Sequence, residues 1–150
     1  MNLQFSTTVS APFETVTKNF DIELLTFLSP YFPIVKINRY DGNKVSDIIE
    51  IHLGFVLFNW EWISQISEFK ADSRQWYFID KGIQLPPFLK SWEHKHEVLN
   101  TGDQSVIIDD IQFEPARFWP GLIVKFILWI QFSQRGPLYK KYFGRKIDQK

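Results

Sequence analysis

The chain contains no cysteine, only one methionine and no net charge. The missing thiols exclude disulfide bonds, thiolate metal sites and a cysteine nucleophile. Seventeen lysine and arginine residues balance 17 aspartate and glutamate residues, whereas a nucleic-acid-binding protein needs a basic face that neutralises phosphates. We therefore expect no nucleic-acid partner.

Long apolar runs are also scarce. The first residues, MNLQFSTTVS, lack the basic region and apolar run of a secretory signal, so we expect a cytoplasmic protein. The most apolar stretch runs from Leu122 to Phe132 and contains Lys125 and Gln131. A transmembrane helix needs about 20 apolar residues, so we expect no stable membrane insertion. A buried helix is favoured, and a helix on a membrane surface is the alternative.

Aromatic residues, in contrast, are abundant. The chain has 15 Phe, 6 Trp and 5 Tyr among 150 residues, a length that suits one domain covering residues 1–150. A core of this size rarely needs so many large flat side chains. We expect them to line a cavity, to cover a sheet, or to form an interface such as that of a homodimer.

The order of secondary structure follows from periodicity and turn residues. LQFSTTV at residues 3–9 alternates as a half-buried strand. Two short helices follow, with Ser10 and Asp21 as candidate N-caps. Short connections between the later strands predict an antiparallel meander. The predicted strands are 34–40, 45–53, 56–69, 74–83, 90–99 and 104–113.

A long C-terminal helix completes the pattern, with a break near Gly136-Pro137 as the alternative. We predict an α+β fold in which about seven antiparallel strands form a curved sheet and the helix closes a cavity over it. The helical spacing i, i+4, i+7 and i+8 predicts which side chains face the cavity. They are Leu122, Phe126, Trp129 and Ile130.

Several stretches together resemble the START-like (SRPBCC) helix-grip superfamily. The opening TTVSAPFETVTKNFDIELLTFLSP is similar to its first strand and paired short helices. WEHKH at residues 92–96 and DDIQFEP at 109–115 resemble the W-x-H-x-H and D-x-V-x-Y-x-P motifs of a ligand-binding, cyclase/dehydrase-like bacterial branch. The resemblance covers residues 3–143 and implies a hydrophobic ligand in the cavity. Gln65, Pro86 and Phe113 depart from the branch's pattern.

The stretch SWEHKHEVLN holds two of the three histidines in the chain. Strand periodicity places Trp92, His94 and His96 on one covered face and the charged residues on the other. The two histidines could bind a metal, with His52, Asp80 or Asp109 as the third ligand, could contact a ligand, or could form a structural network. We favour the network and expect no metal.

Asp80 and Asp109 support that interpretation, because each lies in an otherwise apolar strand and a buried carboxylate needs a partner. We predict that Asp80 or Asp109 lies within hydrogen-bonding reach of His94 or His96. These four residues are also the candidates for catalysis.

The leading functional hypothesis is a non-enzymatic binder or carrier of a hydrophobic small molecule, such as a lipid, isoprenoid or polyketide, without a cofactor. The first alternative is a cyclase or dehydratase that uses His94 or His96 as acid and base. The second is a regulatory interaction module. The predicted ligand-binding residues are Trp62, Phe78, Trp92, His94, His96, Leu122, Phe126, Trp129 and Ile130.

Overall fold

The computed structural model describes residues 1–149, so that Lys150, the last residue of the predicted domain, lies outside the described residues. Seven strands and four helices follow one another in the predicted order. They are β1 (Asn2–Val9), α1 (Phe13–Lys18), α2 (Ile22–Leu28), β2 (Ile34–Tyr40), β3 (Ile48–Gly54), β4 (Asn59–Ala71), β5 (Gln75–Gln84), β6 (Leu89–Asn100), β7 (Ser105–Pro115), α3 (Gly121–Ser133) and α4 (Arg135–Asp148).

All seven strands form one antiparallel sheet in the order β1-β7-β6-β5-β4-β3-β2. Strands β2 to β7 pair with their neighbours along the chain, which confirms the predicted meander. β1 joins the far side of β7, so β1 and β2 are the two edges. The sheet curves around the helices, and the α+β helix-grip prediction is confirmed.

Of the two N-caps predicted for the short helices, Asp21 is confirmed and Ser10 is wrong. The Asp21 carboxylate accepts hydrogen bonds from the backbone N–H groups of Glu23 and Leu24, at 2.9 and 3.2 Å, as predicted for the start of α2. Ser10 does not cap α1. That helix begins only at Phe13, after an extended Pro12 whose carbonyl accepts the first helical hydrogen bond.

The C-terminal helix is interrupted at Gln134, three residues before Pro137. Proline has no N–H to donate to the carbonyl of Ser133, four residues earlier, and its ring crowds that carbonyl. The alternative of a break near Gly136-Pro137 is therefore the observed one. Gly136 also allows α4 to approach β1, since an added Cβ would lie only 3.2 Å from the Thr7 hydroxyl.

The two C-terminal helices cover different parts of the sheet. α4 packs on β1 and α2, and its buried Tyr139 and Phe143 join a core that includes Val98 and Ile107. α3 packs on β1 and β7, in a second core with Trp92. Because α3 lies toward the β1 edge, a space remains between it, α2 and the inner face of β2–β5. This space is the cavity.

Candidate functional site

One face of β6 contributes to the polar part of the cavity wall. Trp92, His94, His96 and Val98 are all buried, as strand periodicity predicts. The opposite face is charged and partly exposed, and Lys95 and Glu97 form an ion pair there at 3.0 Å. The two imidazole rings lie side by side with centroids 3.7 Å apart.

The sheet register brings both predicted carboxylates to these histidines. Asp80 on β5 is the cross-strand partner of His94, and Asp109 on β7 is the partner of His96. The hydrogen bonds run diagonally: His94 Nε2 lies 2.8 Å from Asp109 Oδ1, and His96 Nε2 lies 3.0 Å from Asp80 Oδ2. The predicted pairing is confirmed for both aspartates. We call Asp80, His94, His96 and Asp109 the His–Asp cluster.

Three further side chains hold the His–Asp cluster from outside. Trp92 donates its indole N–H to Asp80 at 3.0 Å. From α4, the Tyr139 hydroxyl donates to Asp109 at 3.1 Å, and Arg135 reaches the same carboxylate at 3.4 Å. Arg135 and Tyr139 were missed by the sequence reasoning, because their segment reads as a basic, solvated helix end.

Burial and pairing act in opposite directions on the carboxylates. Burial alone raises the pKa of Asp109, but the hydrogen bond from His94 and the charge of Arg135 outweigh it and lower that pKa far below its ordinary value. Burial likewise raises the pKa of Asp80, whereas the hydrogen bond from His96 and the neighbouring imidazoles lower it overall. Both aspartates are therefore ionised at neutral pH.

His94 is affected chiefly by desolvation. Burial and the proximity of His96 lower the pKa of His94 from 6.5 to about 4, although Asp109 opposes the change. The His94 ring is therefore neutral near pH 7, with its Nε2–H directed at Asp109, which as an ionised carboxylate only accepts. Arg135 supplies a formal positive charge beside Asp109.

The same side chains have the composition of a metal site. Asp80, His94 and His96 can each offer one ligand atom, and these atoms lie within 4.8 Å of one another. His52 is not part of this group: its Nδ1 pairs with Glu61 Oε1 at 2.5 Å, so a three-histidine site does not form. The Asp80 oxygens are already used by His96 and Trp92. The absence of a metal stays a prediction.

The cavity itself has a volume of about 520 Å³ and a largely apolar wall. Five of the predicted ligand-binding residues lie in that wall. They are Trp62, Phe78, Trp92, His94 and His96. Phe78 stacks on His96 with centroids 4.4 Å apart, and Trp62 meets Trp92 edge to face at 4.7 Å. The aromatic side chains therefore line a space and do not fill it.

The prediction of which α3 residues face the cavity is wrong. Leu122, Phe126 and Trp129 are exposed, and neither they nor the partly buried Ile130 line the cavity. The residues that do so from α3 are Val124, Ile127, Leu128, Gln131 and Phe132. Since α3 is apolar on nearly every side, helical periodicity had no polar face from which to orient it.

Comparisons with known proteins give fold relationships only. No family model and no curated protein sequence matches the chain. Among solved structures, a START superfamily protein from Mycobacterium smegmatis has a TM-score of 0.67 and 15% identity, covering 96% of this chain and 97% of its own. A Streptomyces aromatase/cyclase has a TM-score of 0.63 and 13% identity, covering 98% and 95%.

A third similar structure is norcoclaurine synthase from Thalictrum flavum, in complex with dopamine and hydroxybenzaldehyde. Its TM-score is 0.67 at 15% identity, and the match covers 95% of this chain and 85% of that one. All three matches extend over nearly the whole chain. Together with the sheet order and the helix placement, they show that the chain has the START-like (SRPBCC) fold.

The lowered pKa of His94 predicts a loss of stability in mild acid. An unfolded histidine binds a proton as the pH falls below 6.5, whereas folded His94 stays neutral down to about 4. Protonation therefore favours the unfolded chain between these values, by on the order of 3 kcal/mol. The lowered pKa values of Asp80 and Asp109 act separately, because their contribution is lost only below the ordinary aspartate value of 3.8.

Urea unfolding across this pH range measures the effect. His94→Gln retains a donor for Asp109 but cannot titrate, so its free energy of unfolding is expected to vary less between about pH 6.5 and pH 4. Wild-type stability that instead rises as the pH falls through this window would show that His94 is protonated in the folded protein.

Proposed function

We propose that the protein binds or carries a hydrophobic small molecule with a polar end, enclosed between the sheet and α3. The observation that supports this most directly is the cavity of about 520 Å³, whose wall is largely apolar and includes Asp80, His94 and His96 of the His–Asp cluster. Such a wall binds apolar surface through desolvation, at roughly 25 cal/mol per Å². Sites of this kind use few polar groups to orient the ligand.

One wall residue indicates which polar group the ligand carries. Gln131 Oε1 is buried without a hydrogen-bond partner among the described residues, whereas His96 Nδ1 lies 3.6 Å from Asp109 Oδ1. The other nitrogen of His96 faces Asp80, and the Gln131 amide N–H donates to the carbonyl of Phe32 at 3.2 Å. The free oxygen of the Gln131 amide is an acceptor. We therefore favour a ligand with a hydroxyl group.

Reducing the cavity volume tests the binding proposal. Val35 lines the cavity from β2, so Val35→Phe is expected to weaken binding of naphthol by at least about tenfold, because the added ring occupies ligand space. The measurement is a fluorescence titration. Val45→Phe is the matched control, since Val45 is 57% exposed in the β2–β3 loop. Equal affinities for both variants would place the naphthol outside the cavity.

Removing one acceptor tests the preferred ligand chemistry. Gln131→Leu keeps a similar shape but removes the amide oxygen, so the preference for naphthol over naphthalene is expected to fall by about five- to tenfold. Gln112→Leu, on the exposed side of β7, is the control and should keep the preference. A wild-type protein that binds naphthalene as tightly as naphthol would contradict the hydroxyl-bearing ligand.

A cyclase or dehydratase reaction is the second candidate function. It is favoured by the two histidine–carboxylate pairs of the His–Asp cluster, which have the composition of an acid/base site and whose histidines line the cavity. Two similar folds belong to an aromatase/cyclase and to norcoclaurine synthase. In this mechanism one imidazole accepts a proton from a bound carbonyl compound, while its aspartate orients the ring.

The catalytic candidate is tested by cyclisation of a linear polyketone. His94→Gln/His96→Gln is expected to lower kcat by at least about a hundredfold, because general acid–base catalysis contributes that much. His52→Gln is the control, since His52 pairs with Glu61 away from the His–Asp cluster. Turnover that survives the double substitution would exclude the histidines from the reaction.

A further inference from the structure

The mouth of the cavity is surrounded by exposed apolar side chains. They come from three loops, residues 30–33, 55–58 and 116–120, and from the outer face of α3, which we together call the rim. The most exposed members are Tyr31, Val56, Leu57, Phe118, Leu122 and Phe126. Contiguous apolar surface of this extent is unusual on a monomeric protein and marks an interaction site.

The rim is continuous with the cavity. Phe32, Phe58, Trp119 and Ile127 line the cavity and are also exposed. Aromatic contacts connect the loops: Phe32 meets Phe55 at 5.7 Å, and Phe55 stacks on Phe58 at 5.0 Å. A ligand that leaves the cavity through this mouth therefore passes directly onto the rim.

Trp60 and Phe88 extend the same aromatic contacts. Trp60 lies 4.6 Å from Phe58 and 5.4 Å from Phe88, and Phe88 lies 6.0 Å from Trp119. The amide of Gln131 joins α3 to the Phe32 carbonyl on another side of the mouth. All three loops and α3 are thus held at one end of the molecule.

The 55–58 loop is the most unusual part of the rim. Hairpin loops are normally built from glycine, asparagine, aspartate and serine, whereas this loop reads Phe-Val-Leu-Phe between Gly54 and Asn59. Val56 and Leu57 are 88% and 89% exposed. Two adjacent branched apolar side chains at a hairpin tip bury no apolar surface while the tip is in water. This tip is therefore suited to an apolar environment.

The charged residues of the rim are all positive. No aspartate or glutamate occurs between Glu114 and Asp148, nor in the 30–33 and 55–58 loops. Arg117 is exposed beside Phe118, and Lys125 lies on α3 between Leu122 and Trp129 at helical spacing. Cations beside exposed aromatic and aliphatic side chains are typical of surfaces that contact anionic lipid headgroups.

We propose that the rim docks on the surface of an anionic lipid bilayer, with the 55–58 tip and the outer face of α3 at the boundary of headgroups and acyl chains. Among residues 1–149, no helix is long and apolar enough to cross a membrane, so the contact is peripheral. The proposal needs no ligand in the cavity and does not rest on the proposed function.

A second copy of the chain fits the rim less well. A two-fold dimer places the same patch on both sides of the interface. Arg117 and Lys125 of both copies would then lie in one interface, without a carboxylate from residues 115–147 to compensate them. An anionic membrane supplies the opposite charge and accommodates the apolar tip at the same time.

Vesicle sedimentation tests the proposal with the protein alone. Wild-type protein is expected to sediment with vesicles of phosphatidylcholine and phosphatidylglycerol, and less with phosphatidylcholine alone. Val56→Ser/Leu57→Ser should lower the partition coefficient by at least about tenfold. Val45→Ser, an exposed apolar residue in the loop at the opposite end of the β2–β3 hairpin, is the matched control and should bind normally.

Two further measurements keep the outcome unambiguous. Phe118→Ser, on a different loop, should also reduce vesicle binding, and circular dichroism checks that each variant is folded. Arg117→Gln/Lys125→Gln should remove most of the preference for phosphatidylglycerol. The proposal is overturned if wild-type protein stays in the supernatant with both vesicle types, if both rim variants bind normally, or if sedimentation velocity shows a rim-dependent dimer without vesicle binding.

Discussion

Two aspartates buried in the inner face of the sheet impose the constraint on which the rest of the structure depends. An ionised carboxylate in an apolar strand is strongly unfavourable without partners, and Asp80 and Asp109 obtain theirs from β6 and α4. The diagonal hydrogen bonds require the register of β5, β6 and β7 to be kept, because a shift of one residue would turn His94 and His96 outward. The contact of Arg135 with Asp109 likewise requires α4 to begin at Arg135.

The pairing of the buried aspartates also determines which polar groups line the cavity. Asp80, His94 and His96 of the His–Asp cluster line the cavity. Because α3 packs on β1 and β7, the space beside these residues stays open. A polar network of this kind is favourable only when each member is satisfied. In the proposed function, the unpartnered Gln131 Oε1 is the acceptor for the ligand hydroxyl. In the docking that we propose, the apolar rim places the opening of this space against a lipid surface, from which an apolar ligand would enter.

Much of the fold could be predicted from the sequence, because strands with one buried face alternate visibly. The buried histidines followed from the two-residue period of β6, and their pairing with Asp80 and Asp109 followed from the cost of an unpaired buried carboxylate. The face of α3 could not be predicted, since Leu122, Phe126 and Trp129 are as apolar as Val124, Leu128 and Phe132. Arg135 and Tyr139 were missed because no local pattern connects them with a strand far away in sequence.

The central claim is that the cavity holds a hydrophobic molecule in the cell. Native mass spectrometry of protein purified without detergent tests it most directly, followed by release and identification of whatever is retained. We expect an added mass that disappears on unfolding and belongs to an apolar compound with at least one hydroxyl group. Protein that carries only the mass of the chain, and that takes up no apolar compound when incubated with a lipid extract of its host, would contradict it.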